Sequence, residues 1–248
     1  MSIKINKVIK KLSSVALVFA MLLGLFTLCG NSITAKAAQS PVALYSLDSR
    51  TIYHGINSYD IYIRIAAGSA GSKSVSITYP DYQGTIQGAN ASFYTKIDSE
   101  TEIWKVTVSG PGLSTFDIKY VGDGTTYYDN NHKFSNPLGE ANIKGLCTYY
   151  QSGSNYTVYA AVKNLAYTKT VKVRYTTDNW ATWKEADLHY SHTLSGTATE
   201  IWTATLDLGT SNLDNFHYCF NYQANNQGTV YWDSNFGANY DRSFYSPY

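Results

Sequence analysis

The chain has 248 residues, with 19 basic and 18 acidic side chains and a formal net charge of +1. This length accommodates one large domain or two small ones. Residues 1–37 hold five lysines and no acidic residue, so a chain cleaved after them carries a formal charge of +1 − 5 = −4. That mild acidity argues against a nucleic-acid partner.

The first 37 residues have the layout of a secretory signal peptide. Four lysines between positions 4 and 11 precede an apolar run from Val15 to Phe26, and AKA at positions 35–37 is an A-x-A cleavage pattern. The apolar run is shorter than a membrane span requires. We therefore expect a secreted, extracellular protein without membrane attachment after cleavage. Lipoprotein processing at Cys29 is the weaker alternative, because the residue before it suits that processing poorly.

Aromatic residues are abundant, with 23 Tyr, 9 Phe and 5 Trp. Tyrosine joins an apolar ring to a hydrogen-bonding tip, which suits a wet binding surface. Tyrosine is also a good strand former, so both interpretations apply to this composition.

Short stretches of period-two alternation predict β-strands along the whole chain after the signal segment. The alternation predicts that Phe116, Ile118 and Tyr120 share one face, as do the four aromatics Phe216, Tyr218, Phe220 and Tyr222. In chain order the predicted strands are residues 59–66, 73–79, 101–108, 115–121, 155–163, 169–177, 199–206 and 216–223.

The chain contains an internal repeat. TEIW occurs at 101–104 and 199–202, and the related stretches GTTYYDNN and GTVYWDSN occur at 124–131 and 228–235. No amphipathic helix follows the signal segment, and the many short strands with polar turns are typical of a β-sandwich. We therefore predict an all-β protein of two tandem sandwich modules, residues 38–136 and 137–248, with Trp104 and Trp202 in their cores.

Catalytic motifs are weak. A glycosidase needs two opposed carboxylates, yet no motif singles out a pair among acidic residues such as Glu100, Glu102, Glu185 and Asp187. No G-x-S-x-G elbow is present, and His189 with His192 forms a poor metal motif. We expect no catalytic residue and no metal. Cys147 and Cys219 either form a disulfide in a secreted protein or remain free thiols.

Sugar binding agrees better with the residues near the C-terminus. The apolar face of a pyranose packs on a flat aromatic ring, and asparagine supplies both a donor and an acceptor for the sugar hydroxyls. The stretch YWDSNFGANY offers Trp232 and Tyr240 beside Asn235 and Asn239. Trp180 lies among polar residues at the end of another predicted strand, whereas core packing is an alternative for Trp232.

The stretches AAVKNLAYTKTVKVRYTTDNWATW and FHYCFNYQANNQGTVYWDSNFGANY resemble carbohydrate-binding module family 21, the starch- and glycogen-binding modules. The resemblance spans most of residues 141–245. It implies an immunoglobulin-like β-sandwich without catalysis or a cofactor. It also implies sugar-contacting roles in the second module at Trp180, Trp232, Asp233, Asn235, Asn239, Tyr240 and Asn221, and at a second, incomplete site with Tyr167 and Tyr190.

The first module is more divergent. It keeps the equivalent of the Asp–Asn stretch but lacks the tryptophan and the closing Asn-Tyr pair. The resemblance here implies candidate contacts at Lys119, Tyr128, Asp129, Asn130 and Asn131, with Tyr82 in place of the tryptophan.

These observations predict a secreted, non-enzymatic protein that binds α-1,4-glucan such as starch or glycogen, with the second module binding more strongly. A separate amylolytic enzyme is a further expected partner. A surface protein that binds another glycan or a protein is the alternative, and a polysaccharide-degrading enzyme is a third hypothesis.

Overall fold

The structure, a computed structural model, describes residues 40–53, 56–66, 71–150, 155–209, 213–226 and 228–243. The side chains of residues 52, 53 and 147–150 are outside this description. The predicted signal peptide, residues 1–37, also lies outside the described residues.

Residues 42–133 form eight strands, and the alternation of buried and exposed side chains is clearest in residues 115–122. They pair in two antiparallel sheets, with strand orders β1-β2-β6-β5 and β4-β3-β7-β8. We call these two sheets the first sheet pair. The strands are β1 Val42–Tyr53, β2 Ile56–Ala66, β3 Lys73–Pro80, β4 Ile86–Asn90, β5 Ser92–Asp98, β6 Thr101–Gly110, β7 Thr115–Gly122 and β8 Thr125–Lys133.

Residues 143–241 form the remaining strands, here called the second sheet pair. Its sheets have the orders β9-β10-β14-β13 and β12-β11-β15-β16, and β17 also pairs with β15. The strands are β9 Ile143–Tyr150, β10 Asn155–Lys163, β11 Lys169–Thr176, β12 Lys184–Asp187, β13 His189–Thr193, β14 Thr199–Asp207, β15 His217–Ala224, β16 Val230–Asp233 and β17 Tyr240–Asp241.

The strand order of the second sheet pair repeats that of the first, with each strand number increased by eight. Each pair encloses its own apolar core. The predicted inward-facing residues are confirmed, since all are buried: Phe116, Ile118, Tyr120, Phe216, Tyr218, Phe220 and Tyr222. Among the described residues, no helix is long and apolar enough to cross a membrane.

The TEIW repeat forms the same polar contact in both sheet pairs. Trp202 Nε1 donates to Glu200 at 2.9 Å, and Lys169 Nζ donates to the other oxygen of that carboxylate at 3.1 Å. In the first sheet pair, Glu102 accepts from Trp104 and Lys73 at 3.1 and 2.9 Å. The tryptophans Trp104 and Trp202 are half-buried and pack against their cores. Both tryptophans therefore pack against the cores as predicted, but they are only half-buried, and each indole N–H bonds a glutamate.

The segment between the sheet pairs packs against both of them. Its backbone bonds to β1, where Leu47 N donates to Pro137 O at 3.0 Å and Glu140 N donates to Leu44 O at 2.8 Å. Leu138 packs in a separate buried cluster with Ile201 of the second sheet pair. The predicted module boundary at 136/137 thus falls in a segment that is held on both sides.

Two ion pairs strengthen this junction, one partly exposed at Glu140 and one fully buried. Arg64 of β2 makes a two-pronged contact with the carboxylate of Glu140. Lys144 of β9 lies 2.9 Å from Asp48 of β1, and both side chains are almost fully buried. Since isolated buried charges are costly, each member of these pairs requires its partner.

Phe236 completes the junction. It follows β16, and its ring lies 5.7, 4.9 and 5.5 Å from the ring centroids of Tyr45, Tyr62 and Tyr94 in the first sheet pair. Aromatic rings at these separations attract one another beyond the area they bury. The region from Ser40 onward is accordingly one compact unit rather than two tethered bodies.

Candidate functional site

The candidate site lies on the outer face of the sheet β12-β11-β15-β16. Side chains along β15 alternate between faces, so Cys219 and Asn221 point away from the aromatic core. The register of the neighbouring strands places Arg174 beside Cys219 and Trp232 beside Asn221. These residues therefore share one face of the sheet.

Arg174 joins two exposed tryptophans on this face. Its guanidinium carbon lies 4.3 Å from the ring centroid of Trp183 and 4.8 Å from that of Trp232. The rings are 55% and 47% exposed. Glu185 on β12 accepts hydrogen bonds from Arg174 Nε and Nη2 at 3.0 and 2.8 Å, which orients the guanidinium. We call Trp183, Arg174 and Trp232 the Trp–Arg–Trp surface.

This surface has the chemistry of a carbohydrate-binding platform. Two flat rings offer apolar area to the C–H faces of sugar rings, and an exposed stacked aromatic loses little entropy on binding because it has only two side-chain torsions. The cation–π contacts hold the rings in place before any ligand arrives. Asn221 lies beside Trp232 and is mostly covered, where its amide can bond a sugar hydroxyl near that ring.

Trp180, the tryptophan predicted for this site, takes a different position. Asn179 and Trp180 both have left-handed backbone angles, with φ of 55° and 69°. The turn is held because Thr176 Oγ1 accepts a hydrogen bond from Trp180 N at 3.0 Å. Trp180 is half-buried, and among the described residues no ring or cation–π contact joins it to Trp232 or Arg174.

Sequence reasoning missed Trp183 as the partner of Trp232. The sequence contains a signal for this position, because Trp183, Glu185 and Asp187 are spaced two residues apart. In the structure, Asp187 pairs with Lys172 on the neighbouring strand. Period-two spacing places all three on the same face.

Asp233 and Tyr240, predicted to contact sugar, bond to each other and to β9 inside the second sheet pair. Tyr240 is 1% exposed. Its hydroxyl donates to Asp233 Oδ2 at 2.6 Å and accepts from Lys144 Nζ at 2.8 Å. The same Asp233 oxygen accepts from Gly145 N at 2.5 Å. Burial raises the pKa of Tyr240 well above its ordinary value, so the hydroxyl stays protonated and can donate.

The predicted asparagines of the same loop close a turn. Asn235 Nδ2 donates to the carbonyl of Asn239 at 3.2 Å, and Asn235 N donates to Asp233 Oδ1 at 3.1 Å. Both asparagines have positive φ, 51° and 62°, a conformation that asparagine tolerates better than most residues. Their side chains are half-buried. The loop therefore presents Phe236 to the first sheet pair, and Trp232 is its one member on the Trp–Arg–Trp surface.

Asp129 in the first sheet pair has the same architectural role as Asp233. Its Oδ2 accepts from Leu44 N at 2.7 Å and lies 2.8 Å from His132 Nε2. Burial alone raises the pKa of this carboxyl, but the hydrogen bonds from His132 and Leu44 outweigh it and lower the pKa below the ordinary value. Asp129 thus ties β8 to β1, and its sugar contact stays a prediction.

The other candidates of the first sheet pair lie on its surface. Tyr128 is exposed and pairs across the strands with exposed Lys119. Asn130 and Asn131 are also exposed, and Asn131 N donates to Asp117 Oδ1 at 2.8 Å. Tyr82 is exposed in the turn after β3.

Tyr167 and Tyr190, predicted for a second site, are both exposed. Tyr190 packs edge-on against Trp202 at 6.1 Å. No ring contact links Tyr167 to Tyr190 in the part of the chain that the structure describes.

Cys219 is a free, buried thiol on the sheet face beneath Arg174. Burial raises its pKa to about 11, which keeps the thiol protonated. The side chain of Cys147 lies outside the description. Within the described ranges, no group of three or more His, Cys, Asp or Glu side chains is arranged to hold a metal ion.

Comparison with known proteins identifies one family. A carbohydrate/starch-binding module of family 21 is found at residues 146–243, within the region of the second sheet pair that holds the Trp–Arg–Trp surface.

Two curated relatives illustrate the sequence similarity. The chain is 30% identical over 135 residues to GLC7-interacting protein 2 of Saccharomyces cerevisiae, covering 49% of this chain and 24% of that protein. It is 37% identical over 84 residues to protein phosphatase 1 regulatory subunit 3B of Xenopus tropicalis, covering 32% and 27%. The chain therefore spans about a quarter of the length of these relatives.

Two solved structures are also similar. The starch-binding domain of Rhizopus oryzae glucoamylase, solved with β-cyclodextrin and maltoheptaose, is 30% identical, with a TM-score of 0.33, 40% of this chain covered and 95% of that chain. The carbohydrate-binding module of the muscle glycogen-targeting subunit of protein phosphatase 1 is 20% identical, with a TM-score of 0.33 and coverage of 40% and 73%.

Proposed function

We propose that this protein binds α-1,4-glucan, such as starch or glycogen, without catalysis. One observation carries the proposal. Two exposed tryptophans, Trp183 and Trp232, contact the same guanidinium on an open sheet face, and this face belongs to the stretch matched by a starch-binding module.

The side chains divide into three roles in this proposal. Trp183 and Trp232 stack on sugar rings, while Arg174 and Asn221 bond the hydroxyls between them. Asp233, Asn235, Asn239 and Tyr240 support the surface from beneath by fixing the loop that follows Trp232. Trp180, Tyr167 and Tyr190 extend the contact to longer or branched chains.

The first sheet pair contributes less in this proposal. We regard it as a divergent second immunoglobulin-like module, because its strand order repeats. Its exposed candidates supply at most a weak contact; they are Tyr82, Lys119, Tyr128, Asn130 and Asn131. The predicted export through residues 1–37 is part of the same proposal, as is the absence of a catalytic role and of a cofactor.

A pull-down on granular starch, cellulose and chitin tests the proposal. We expect retention on starch alone, and loss of retention for Trp232→Ala. Tyr128→Ala, at the matching position of the first sheet pair, is the control and keeps binding. Equal retention on all three polymers, or unchanged starch binding by Trp232→Ala, contradicts the proposal. Release of reducing sugar during the incubation indicates an enzyme instead.

The names of the relatives favour a second candidate function, the binding of a protein phosphatase. Both curated relatives described above are named for such an association, with GLC7 or with protein phosphatase 1. Among protein partners, they therefore support a phosphatase rather than the amylolytic enzyme expected from the sequence. Co-purification of the full chain with a protein phosphatase 1 catalytic subunit, with and without glycogen, tests this candidate. Absence of a complex under both conditions contradicts it.

A further inference from the structure

A cleft of about 230 Å³ lies at the junction of the two sheet pairs. One wall comes from β5 of the first sheet pair, and the opposite wall comes from the end of β16 and the loop that follows it. Its lining includes Lys96, Ile97, Tyr45, Ser46, Trp232 and Phe236.

Trp232 belongs both to this cleft and to the Trp–Arg–Trp surface. Its ring contacts Arg174 on the sheet face, and the same residue is part of the cleft lining. A glucan chain stacked on Trp232 therefore has the cleft directly beside it. The two features form one continuous surface that crosses from the second sheet pair to the first.

The wall from the first sheet pair has a composition suited to sugar. Ile97 is 47% exposed, and Lys96 beside it is also exposed. A sugar ring offers apolar C–H groups to Ile97 and hydroxyl acceptors to the Lys96 ammonium, which carries three donors. Phe93 and Tyr94 lie further back on the same strand, and both are exposed.

The cleft is preformed. Phe236 is fixed against Tyr45 and Tyr62, and the nearby ion pair of Lys144 with Asp48 is buried. A site whose walls are already held in place pays less ordering entropy when a ligand binds.

We propose that the two sheet pairs share a single extended glucan-binding surface. Sugar units stacked on Trp183 and Trp232 continue into the cleft, where Lys96 and Ile97 of the first sheet pair contact the next units. This inference rests on the proposed function and adds to it a selectivity for longer chains. It also replaces the expectation of two separate sites on tethered modules with one site that neither sheet pair completes alone.

Calorimetric titration of the full chain with maltotriose and maltoheptaose tests the shared surface. We expect the wild type to bind maltoheptaose more tightly than maltotriose. The double variant Lys96→Ala with Ile97→Ser should lose at least fivefold in maltoheptaose affinity, while its maltotriose affinity stays within twofold. Ile86→Ser is the matched control, since Ile86 is also an exposed isoleucine of the first sheet pair but does not line the cleft.

The outcomes separate this inference from the proposed function. A wild type that binds neither sugar overturns both. A wild type that binds both sugars, with a double variant equal to Ile86→Ser, overturns the shared surface alone. An equal loss for the two sugars also overturns it, because the cleft would then hold the central sugar units rather than the extension. Thermal unfolding of each variant confirms that these exposed substitutions leave the fold intact.

Discussion

The two sheet pairs match closely in their buried polar contacts and differ at their exposed positions. Asp129 and Asp233 each bond a backbone N–H of the first strand of their sheet pair. Glu102 and Glu200 each hold a tryptophan and a lysine. These repeated residues are thus explained by architecture, because a buried carboxylate must keep all its partners.

The outer faces differ at four matching positions. Tyr128 pairs with Lys119 as Trp232 pairs with Asn221. When the strand registers of the two sheet pairs are aligned at these residues, Thr78 is equivalent to Arg174. In the same alignment, Ile86 is equivalent to Trp183. The first sheet pair therefore has no Trp–Arg–Trp surface. The difference teaches that the repeated residues maintain the structure, whereas the proposed binding site lies where the two sheet pairs diverge.

The contact between the sheet pairs offers the largest expected effect. Lys144→Ala leaves Asp48 buried without its cation, so we expect the free energy of unfolding to fall by about 3 kcal/mol or more. Chemical denaturation at neutral pH measures the loss. Lys172→Ala is the control, because its pair with Asp187 is largely exposed and should contribute less than about 1 kcal/mol. A loss of the same small size in both variants would show that the junction does not stabilise the fold.

Replacing the repeated tryptophans tests whether the two cores are structurally equivalent. Trp104→Ala and Trp202→Ala each delete a half-buried indole and leave a carboxylate short of one donor. We expect losses of about 3 kcal/mol in each variant, measured by denaturant unfolding. A loss confined to one variant would break the structural equivalence. Retained stability with impaired glucan binding in Trp202→Ala would place that tryptophan in the site.

The exposed positions are compared through Trp183 and Ile86. Trp183→Ala should weaken maltoheptaose binding at least tenfold, about 1.4 kcal/mol or more, as expected for an aromatic anchor. Ile86→Ala should change neither binding nor stability.

Trp180→Ala distinguishes the two tryptophans of the loop, and we expect a smaller binding loss with a lower melting temperature because Trp180 is half-buried. A larger binding loss for Trp180→Ala than for Trp183→Ala would restore the prediction from the sequence.

Acidification should have the smallest effect on stability, and it should act similarly at the turns that contain Asp178 and Asp81. Hydrogen bonds from Thr176 and then Thr182 lower the pKa of Asp178 to about 2. The hydrogen bond from Gln87, with those from nearby backbone N–H groups, lowers the pKa of Asp81.

A carboxyl whose pKa is lower in the folded chain stabilises the fold above its unfolded pKa, and this contribution disappears as the pH falls through the folded pKa. The melting temperatures of Asp178→Asn and Asp81→Asn should therefore lie slightly below that of the wild type near neutral pH. Both differences should shrink as the pH falls toward about 2. A difference that stays constant with pH would exclude the carboxylate charge as its cause.

Local pattern was sufficient to predict much of the fold. Alternation along residues 115–121 and 216–223 identified the inward aromatics, since a strand places every second side chain on the same face. The repeat of TEIW and of the Asp–Asn stretch pointed to two similar units. The sequence also singled out Trp232, which is exposed in the structure.

The division between site and support was decided by tertiary structure. Asp233 and Tyr240 resemble surface residues in the sequence, but Tyr240 packs in the core of the second sheet pair, where its hydroxyl bonds Asp233 and the distant Lys144. Trp183 contacts Arg174, whereas Trp180 lies in a left-handed turn with Asn179 and makes no such contact among the described residues. By itself, the sequence determined which segments form strands and which side chains enter the cores, because those properties depend on near neighbours. Only tertiary packing, within each sheet pair and between the two, decided which polar and aromatic residues remain exposed, because that depends on contacts between residues far apart in the chain.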